Sequence, residues 1–543
     1  SLKRISRIPS TVKTICAHAF KNCELLAEVE LYEGLKEIGT NAFYGCISLK
    51  RIKIPSTVKL IGYEAFFSCE QLVEVELCGG LKEIGRCAFY ACKSLKRIKV
   101  PSTVKVIAER AFQGCEQLVE VELCEGLEKI EENAFRGCKS LTRMKVPSPV
   151  RKIGRAFIGC DQLVEVELCE GLERIGGEAF SGCNYLRRFK VPSTVKEIGE
   201  ETFMGCEQLV VLELCDGIEK IDKSAFQGCF SLRNVAIPPE TQTSECFGDC
   251  HDLLKLFGQQ HKMIIDELKS RFNGLPVHKL CYYQSYHPIE EIINQLRFIV
   301  SEEGAATLPH QDCLGMTPLH ILACSTKQSL DLYQYIITIL PNILITEDKW
   351  GCPPLLYAIW GDAPQDTIQF LIDSQKSAFP NHILDWDHMI ETLCKAGASL
   401  SIVKRLLDTQ EALYSNHNII NWQKVAKELT IRCLVEREYS RGTDWREGFI
   451  EDWGVMMYGL STSEAYLELV QNLLELQQRF FSNQNDADLQ LACEELVKPL
   501  TGWWRPDEDD KCYSLKLFRF LVNGRITERL NAIGVKKWRK KMI

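Results

Sequence analysis

The sequence predicts a tandem solenoid: a β-rich stack with one parallel sheet face, then α-helical repeats, then a helical C-terminal region. Three observations carry this. A Phe followed three residues later by Cys recurs at Phe20, Phe43, Phe66, Phe89, Phe112, Phe135, Phe157, Phe180, Phe203, Phe226 and Phe247, mostly every 23 residues. Strand-like runs between these anchors are basic and acidic by turns, as in Arg51-Ile52-Lys53-Ile54 and Glu74-Val75-Glu76-Leu77. After Cys250 the period stops, and apolar residues adopt helical spacing.

A strict period this short marks a solenoid, because no single unit can bury its own apolar face and stacking must supply the core. Within a unit, strict alternation turns Ile52 and Ile54 inward and Arg51 and Lys53 outward. Pro55-Ser56-Thr57 ends the strand, since proline cannot donate to the ladder and Ser/Thr favour turns. Gly62 suggests a backbone requirement, yet Ala108, Glu131 and Asp222 fill the same place, so a compulsory positive φ is not expected there. The repeat cysteines, such as Cys92 and Cys115, read as small buried apolar fillers.

The motifs L-x-x-I-x-[LIV]-P, I-G-x-x-A-F and F-x-x-C, as in Ile61-Gly62-Tyr63-Glu64-Ala65-Phe66 and Phe66-Phe67-Ser68-Cys69, resemble the BspA-like leucine-rich repeat family over about residues 1–250. The resemblance implies a curved leucine-rich-repeat solenoid of about eleven units, a recognition role that is sometimes at cell surfaces, and no catalysis.

In-register parallel stacking brings equivalent residues roughly 4.8 Å apart. One outward column then reads Glu74, Arg97, Glu120 and its neighbour reads Glu76, Lys99, Glu122, part of an unbroken alternation from Glu28 to Arg188. A column of one sign would repel itself at every step, and a slip by one unit would pair like with like. These charges read as a structural ladder. A self-neutralised face is also a poor polyanion site, so no nucleic acid is expected as a partner. The alternation fails at Val211, Asn234 and Ala236. This uncharged strip is a candidate interaction patch, or the contact surface for the following domain.

Residues 251–272 carry an apolar stripe, including Leu253, Phe257, Ile264 and Leu268, and read as one capping helix on the open end of the stack. The segment Asp312-Cys313-Leu314-Gly315-Met316-Thr317-Pro318-Leu319-His320 resembles the ankyrin repeat. Thr317 suits a helix cap and Pro318 the first helical position. The resemblance makes His320 structural. A second copy starts at Asp348, a fainter one lies at Gly274–Leu280, and a degenerate one starts near Asp385, so residues 273–408 read as about four ankyrin-like helical pairs. In that family the fold means binding to other proteins. Residues 409–543 are a helical region of unassigned role, with an amphipathic stretch over 463–481, a loop at 502–510 and a basic tail at 536–541.

An apolar content of 45%, a charged content of 25% and a net charge of −8 describe a soluble chain without a basic, nucleic-acid-binding balance. No apolar run is long enough to cross a bilayer. The opening Ser1-Leu2-Lys3-Arg4-Ile5 matches the interior of a repeat, so the sequence starts inside the array and an upstream signal peptide stays open. Eleven of the 26 cysteines fall at one repeat position, and no Asn-x-Ser/Thr occurs, which favours a reduced, intracellular, cytoplasmic chain. No phosphate loop, dinucleotide fingerprint, zinc-protease motif or nucleophile elbow is present. Cys246, Cys250, His251 and His261 lack a standard zinc spacing, so no metal, cofactor or catalytic residue is assigned. The expected function is a non-catalytic interaction scaffold or adaptor. A cell-surface or secreted recognition protein is the alternative, and an enzyme site within 409–543 comes third. Partner identity and oligomeric state are not legible.

Overall fold

The computed structural model describes residues 4–409 except 6, 7, 9, 10, 259, 260, 305–310, 326, 397, 399–401, 404 and 407. The stretches 463–481, 502–510 and 536–541 lie outside the described residues. Residues 1–380 form one compact unit and 381–543 a second.

The described residues up to Cys250 form a β-solenoid with parallel sheets. Each unit contributes two strands, one of two to four residues, such as Arg51–Ile54, and one of two residues, such as Leu60–Ile61. The longer strands pair parallel and one unit apart, Arg51 with Glu74 and Ile52 with Val75. The short strands form an eleven-stranded parallel sheet from Thr14–Ile15 to Gln242–Thr243. Exposure alternates along Arg51–Ile54 as period-2 geometry requires, with both isoleucines buried.

The interior is a spine of stacked phenyl rings, 5.2 Å apart at Phe66–Phe89 and 5.4 Å at Phe89–Phe112. The repeat cysteine does more than fill space. The Cys92 thiol donates to the Phe66 carbonyl and the Cys115 thiol to the Phe89 carbonyl, each at 3.2 Å. A thiol is a weak donor, but it gives a carbonyl that already accepts the N–H of Cys69 or Cys92 a second partner, which an apolar residue of the same size could not. The glycine of I-G-x-x-A-F is explained by close approach: a Cβ on Gly62 would lie 2.8 Å from the Gly39 carbonyl carbon. The left-handed residue sits two places later, at Glu64 with φ 51°.

The stack is closed by two helices where the sequence suggested one. They are α1 (His251–Phe257) and α2 (His261–Ser270), because Gly258, at φ 71°, ends the first. They cap the last unit through Asp252 N–H to the Phe230 carbonyl, Ile237 N–H to Leu268 and Lys269 Nζ to Thr241.

Three two-helix units follow: α3 (Pro276–Tyr283) with α4 (Ile289–Glu303), α5 (Pro318–Cys324) with α6 (Leu330–Ile339), and α7 (Pro354–Trp360) with α8 (Gln365–Ala378). The short helices α3, α5 and α7 pack in one row, and α4, α6 and α8 in another. Proline at the start of each short helix has no N–H to leave unpaired. The second unit contains α9 (Trp386–Lys395), whose start is marked by the His388 N–H donating to the Asp385 carboxylate. Among the described residues no helix is long and apolar enough to cross a membrane.

Candidate interaction surface

Arg97 stands in register between Glu74 and Glu120, and Lys99 opposite Glu122. All lie on the outward face. The ion pairs are more selective than the column suggests. Arg97 Nε meets Glu120 at 3.3 Å and Lys99 Nζ meets Glu122 at 2.6 Å. Arg51–Glu74, Lys53–Glu76, Arg143–Glu165 and Lys145–Glu167 repeat this, so each basic strand pairs with the acidic strand that follows. The hydrogen bond and charge of Glu122 raise the Lys99 pKa above the ordinary lysine value. A second column pairs the other way: Lys93 with Glu70 and Lys139 with Glu116 of the preceding unit. Between them the two columns bridge each interface from Glu70 to Glu165.

The alternation breaks where the helices dock. Arg188 stands opposite Val211 and so lacks the carboxylate of the next unit. Its guanidinium turns to helix α5 instead, donating to the carbonyls of Ala323 at 2.8 Å and of Ser325. A cation at a helix C-terminus is favoured by the carbonyls left unpaired there. Lys190 donates to the Ser285 carbonyl, and Glu213 accepts from the Ser285 and Ser325 hydroxyls. Burial lowers the Lys190 pKa against the opposing pull of Glu213.

Val211, Asn234 and Ala236 are therefore not an open patch; all three are buried beneath the helical region. The Asn234 side chain accepts from Arg271, which also pairs with Asp312 at 2.7 Å with both side chains fully buried. Ala236 N–H donates to the Tyr282 hydroxyl. Arg233 lies against Trp350 and Trp360 and pairs with Asp252 of the cap at 2.6 Å. Sequence reasoning found the uncharged strip but not the residues that meet it: Arg188, Lys190, Glu213, Arg233, Arg271 and Tyr282. The one available signal was Val211 following Arg188, since a broken ladder frees a cation.

Thr317 caps α5, with Pro318 at its first position. Nδ1 of His320 accepts the Thr317 N–H at 3.1 Å, and its Nε2 lies 3.0 Å from the Cys352 carbonyl of the next helical unit. This arrangement needs a neutral ring with its proton on Nε2. His278, one helical unit earlier, makes the same link to Met316 at 3.2 Å. Asp312 and Asp348 shape equivalent turns, each accepting two backbone N–H bonds. Of the residues weighed as metal ligands, Cys246 and Cys250 are buried, and the Cys250 thiol is bonded to the Phe226 carbonyl. Among the described residues no three His, Cys, Asp or Glu are placed to hold a metal ion.

A parallel stack built on Phe-x-x-Cys, with this geometry, matches a known repeat. Residues 1–254 match the BspA type leucine rich repeat region. The match holds six copies, over 1–119, 82–210 and 128–254, and concerns a repeat family rather than a catalytic one. The leucine-rich repeat part is similar to a leucine-rich repeat protein from Bacteroides ovatus, with 28% identity over 44% of this chain and 82% of that one and a TM-score of 0.28. It is also similar to a leucine rich cell surface protein from Faecalibacterium prausnitzii, with 28% identity over 46% and 86% and a TM-score of 0.32. The Treponema pallidum leucine rich repeat protein shows 27% identity over 44% and 88%, with a TM-score of 0.23. No curated protein matches the chain.

Proposed function

We propose that the chain is a non-catalytic interaction scaffold that binds other proteins through its solenoid surfaces. One observation carries the reading: the outward sheet face already holds a protein surface at its last units, where Arg188, Lys190 and Glu213 grip the helices. The same face continues uncovered toward the N-terminus, with Val73, Val119 and Val164 exposed beside the ion pairs. The three two-helix units are ankyrin-like in this reading. The Asp-turn before the second and third units, the proline start of all three and the histidine link from one unit to the next support that.

The full chain should be used to test it, because a cut at 272 would strip the helices from Val211, Asn234 and Ala236. Co-purification with the parent chain and with Val119→Arg/Val164→Arg should retain a protein in the first case and lose it in the second. Identical sets from both, or none from either, would refute the sheet face as the binding surface.

A reducing compartment belongs to the same proposal. The Cys92 and Cys115 thiols are buried and hydrogen-bonded, and burial pushes Cys115 up to about 12. Both should resist thiol reagents until the chain unfolds. Disulfides between neighbouring units in the protein as isolated would favour the secreted or cell-surface reading instead.

A further inference from the structure

One charged column does not alternate. Lys13, Lys36, Lys59, Lys82 and Lys105 occupy the residue before each short strand in five consecutive units, and all are exposed. Their backbones are in register: Lys36 N–H donates to the Lys13 carbonyl, Lys59 to Lys36, Lys82 to Lys59 and Lys105 to Lys82, at 2.7 to 3.0 Å. Among the described residues, no carboxylate lies within ion-pair distance of the first four. Lys105 pairs with Glu128 at 2.8 Å, and there the uniform run ends. Like charges roughly 4.8 Å apart repel, and the outward columns of the other sheet avoid that repulsion. A row that keeps it is poised for an anion.

The neighbouring column narrows the partner. It reads Thr14, Glu37, Leu60, Glu83 and Val106, so acid and small or apolar residues alternate beside the lysines. A uniform polyanion, whether nucleic acid or sulfated polysaccharide, would be repelled at Glu37 and Glu83. A polypeptide can set carboxylates against the lysines and apolar or neutral groups against the second column. We propose that this strip binds an acidic, extended segment of a partner protein, running along the solenoid axis. Four steps of roughly 4.8 Å correspond to about six extended residues. The inference rests on the scaffold reading but uses a different face.

The test is fluorescence anisotropy with the full chain and a labelled eight-residue peptide alternating Glu and Leu. The parent should bind it, more weakly as salt rises. Lys36→Gln/Lys59→Gln/Lys82→Gln should bind at least about tenfold less tightly, because exposed charge is removed without emptying the core. A Gln–Leu peptide should not bind. Lys50→Gln/Lys96→Gln, on the sheet face, should match the parent, as should Val119→Arg/Val164→Arg. Loss of the sheet-face partner with retention of the peptide would thus separate the two proposals. Equal binding by the triple variant, no binding of the Glu–Leu peptide at low salt, or tighter binding of an oligothymidylate of the same length would each overturn the assignment.

Discussion

Tyr282→Phe removes one oxygen from the junction between solenoid and helices. The hydroxyl donates to the Leu212 carbonyl at 2.7 Å and accepts the N–H groups of Leu214 at 3.1 Å and Ala236 at 3.2 Å. Its one proton and both lone pairs are used. The location explains why: the strands Val211–Glu213 and Asn234–Val235 pair at Val211–Asn234 and Leu212–Val235, and the pairing then stops. Ile237 leaves to meet Leu268 of α2, and the tyrosine oxygen takes the place of the missing ladder bonds. Leu212, Leu214, Ala236 and Tyr282 are all at most 3% exposed, so water cannot replace it. Each buried backbone group left unpaired costs about 1–3 kcal/mol. Three are orphaned, and partial re-closure of the strands offsets some of this, so the expected loss is about 2–4 kcal/mol. Urea unfolding should show a lower midpoint, and amide exchange at Leu214 and Ala236 should accelerate relative to Val121 in the mid-stack. Unchanged exchange at both amides, with a parental midpoint, would refute the hydroxyl's role as a substitute ladder rung.

Three further outcomes are expected. Arg97→Glu/Lys99→Glu should lower the unfolding midpoint at low salt, less so at about 1 M where the screening length is about 3 Å; Glu120→Lys/Glu122→Lys should rescue it and Glu74→Lys/Glu76→Lys should not, and equal rescue by both would sink the directional pairing. Gly79→Glu should stabilise, since Glu33 and Glu170 each bind the Ser N–H and hydroxyl of the next unit, Gly79 fills the equivalent place, and its Cβ would meet nothing; reduced backbone freedom alone contributes about 0.4–1 kcal/mol, and a lower melting temperature would show the loop is not equivalent. Burial lowers the His320 pKa, so its contribution is complete above the unfolded value of about 6.5 and is lost as pH falls below it; stability should drop on acidification to about pH 5, less so in His320→Gln, and identical pH profiles would place the ring outside the coupling.

The solenoid was legible because each of its causes is local or periodic. Strand alternation, the proline stop and the Phe-x-x-Cys anchor are each written within a few residues, and repetition turns them into a register. The cap was harder. The stripe from Leu253 to Leu268 reads continuously at helical spacing, and the φ of Gly258 breaks it. A lone glycine inside an apolar pattern does not announce a helix end. The docking residues were harder still, because Arg271 and Tyr282 acquire meaning only from Asn234 and Leu212, which lie far away in sequence. Charge alternation could be counted, but its pairing direction could not, since both neighbours of Arg97 are acids and only side-chain geometry selects Glu120.

That selection changes what the alternation accomplishes. If each cation were shared between two flanking acids, one column would tie the whole stack together, and any single break would be cushioned by the next pair. The ion pairs instead group sheet units in twos, and the Glu70–Lys93 and Glu116–Lys139 pairs on the second column close the gaps between those groups. Each pair is exposed and individually weak. Two columns with opposite pairing directions thus reinforce the register, and a one-unit slip would break both together. The same logic accounts for the site where the helices bind. Once Val211 removes the acid that Arg188 would have used, the first unpaired guanidinium of the column finds the carbonyls at the end of α5. The ladder's end and the docking surface are thus one feature: a sheet that neutralises itself rung by rung can recognise another protein where the neutralisation stops.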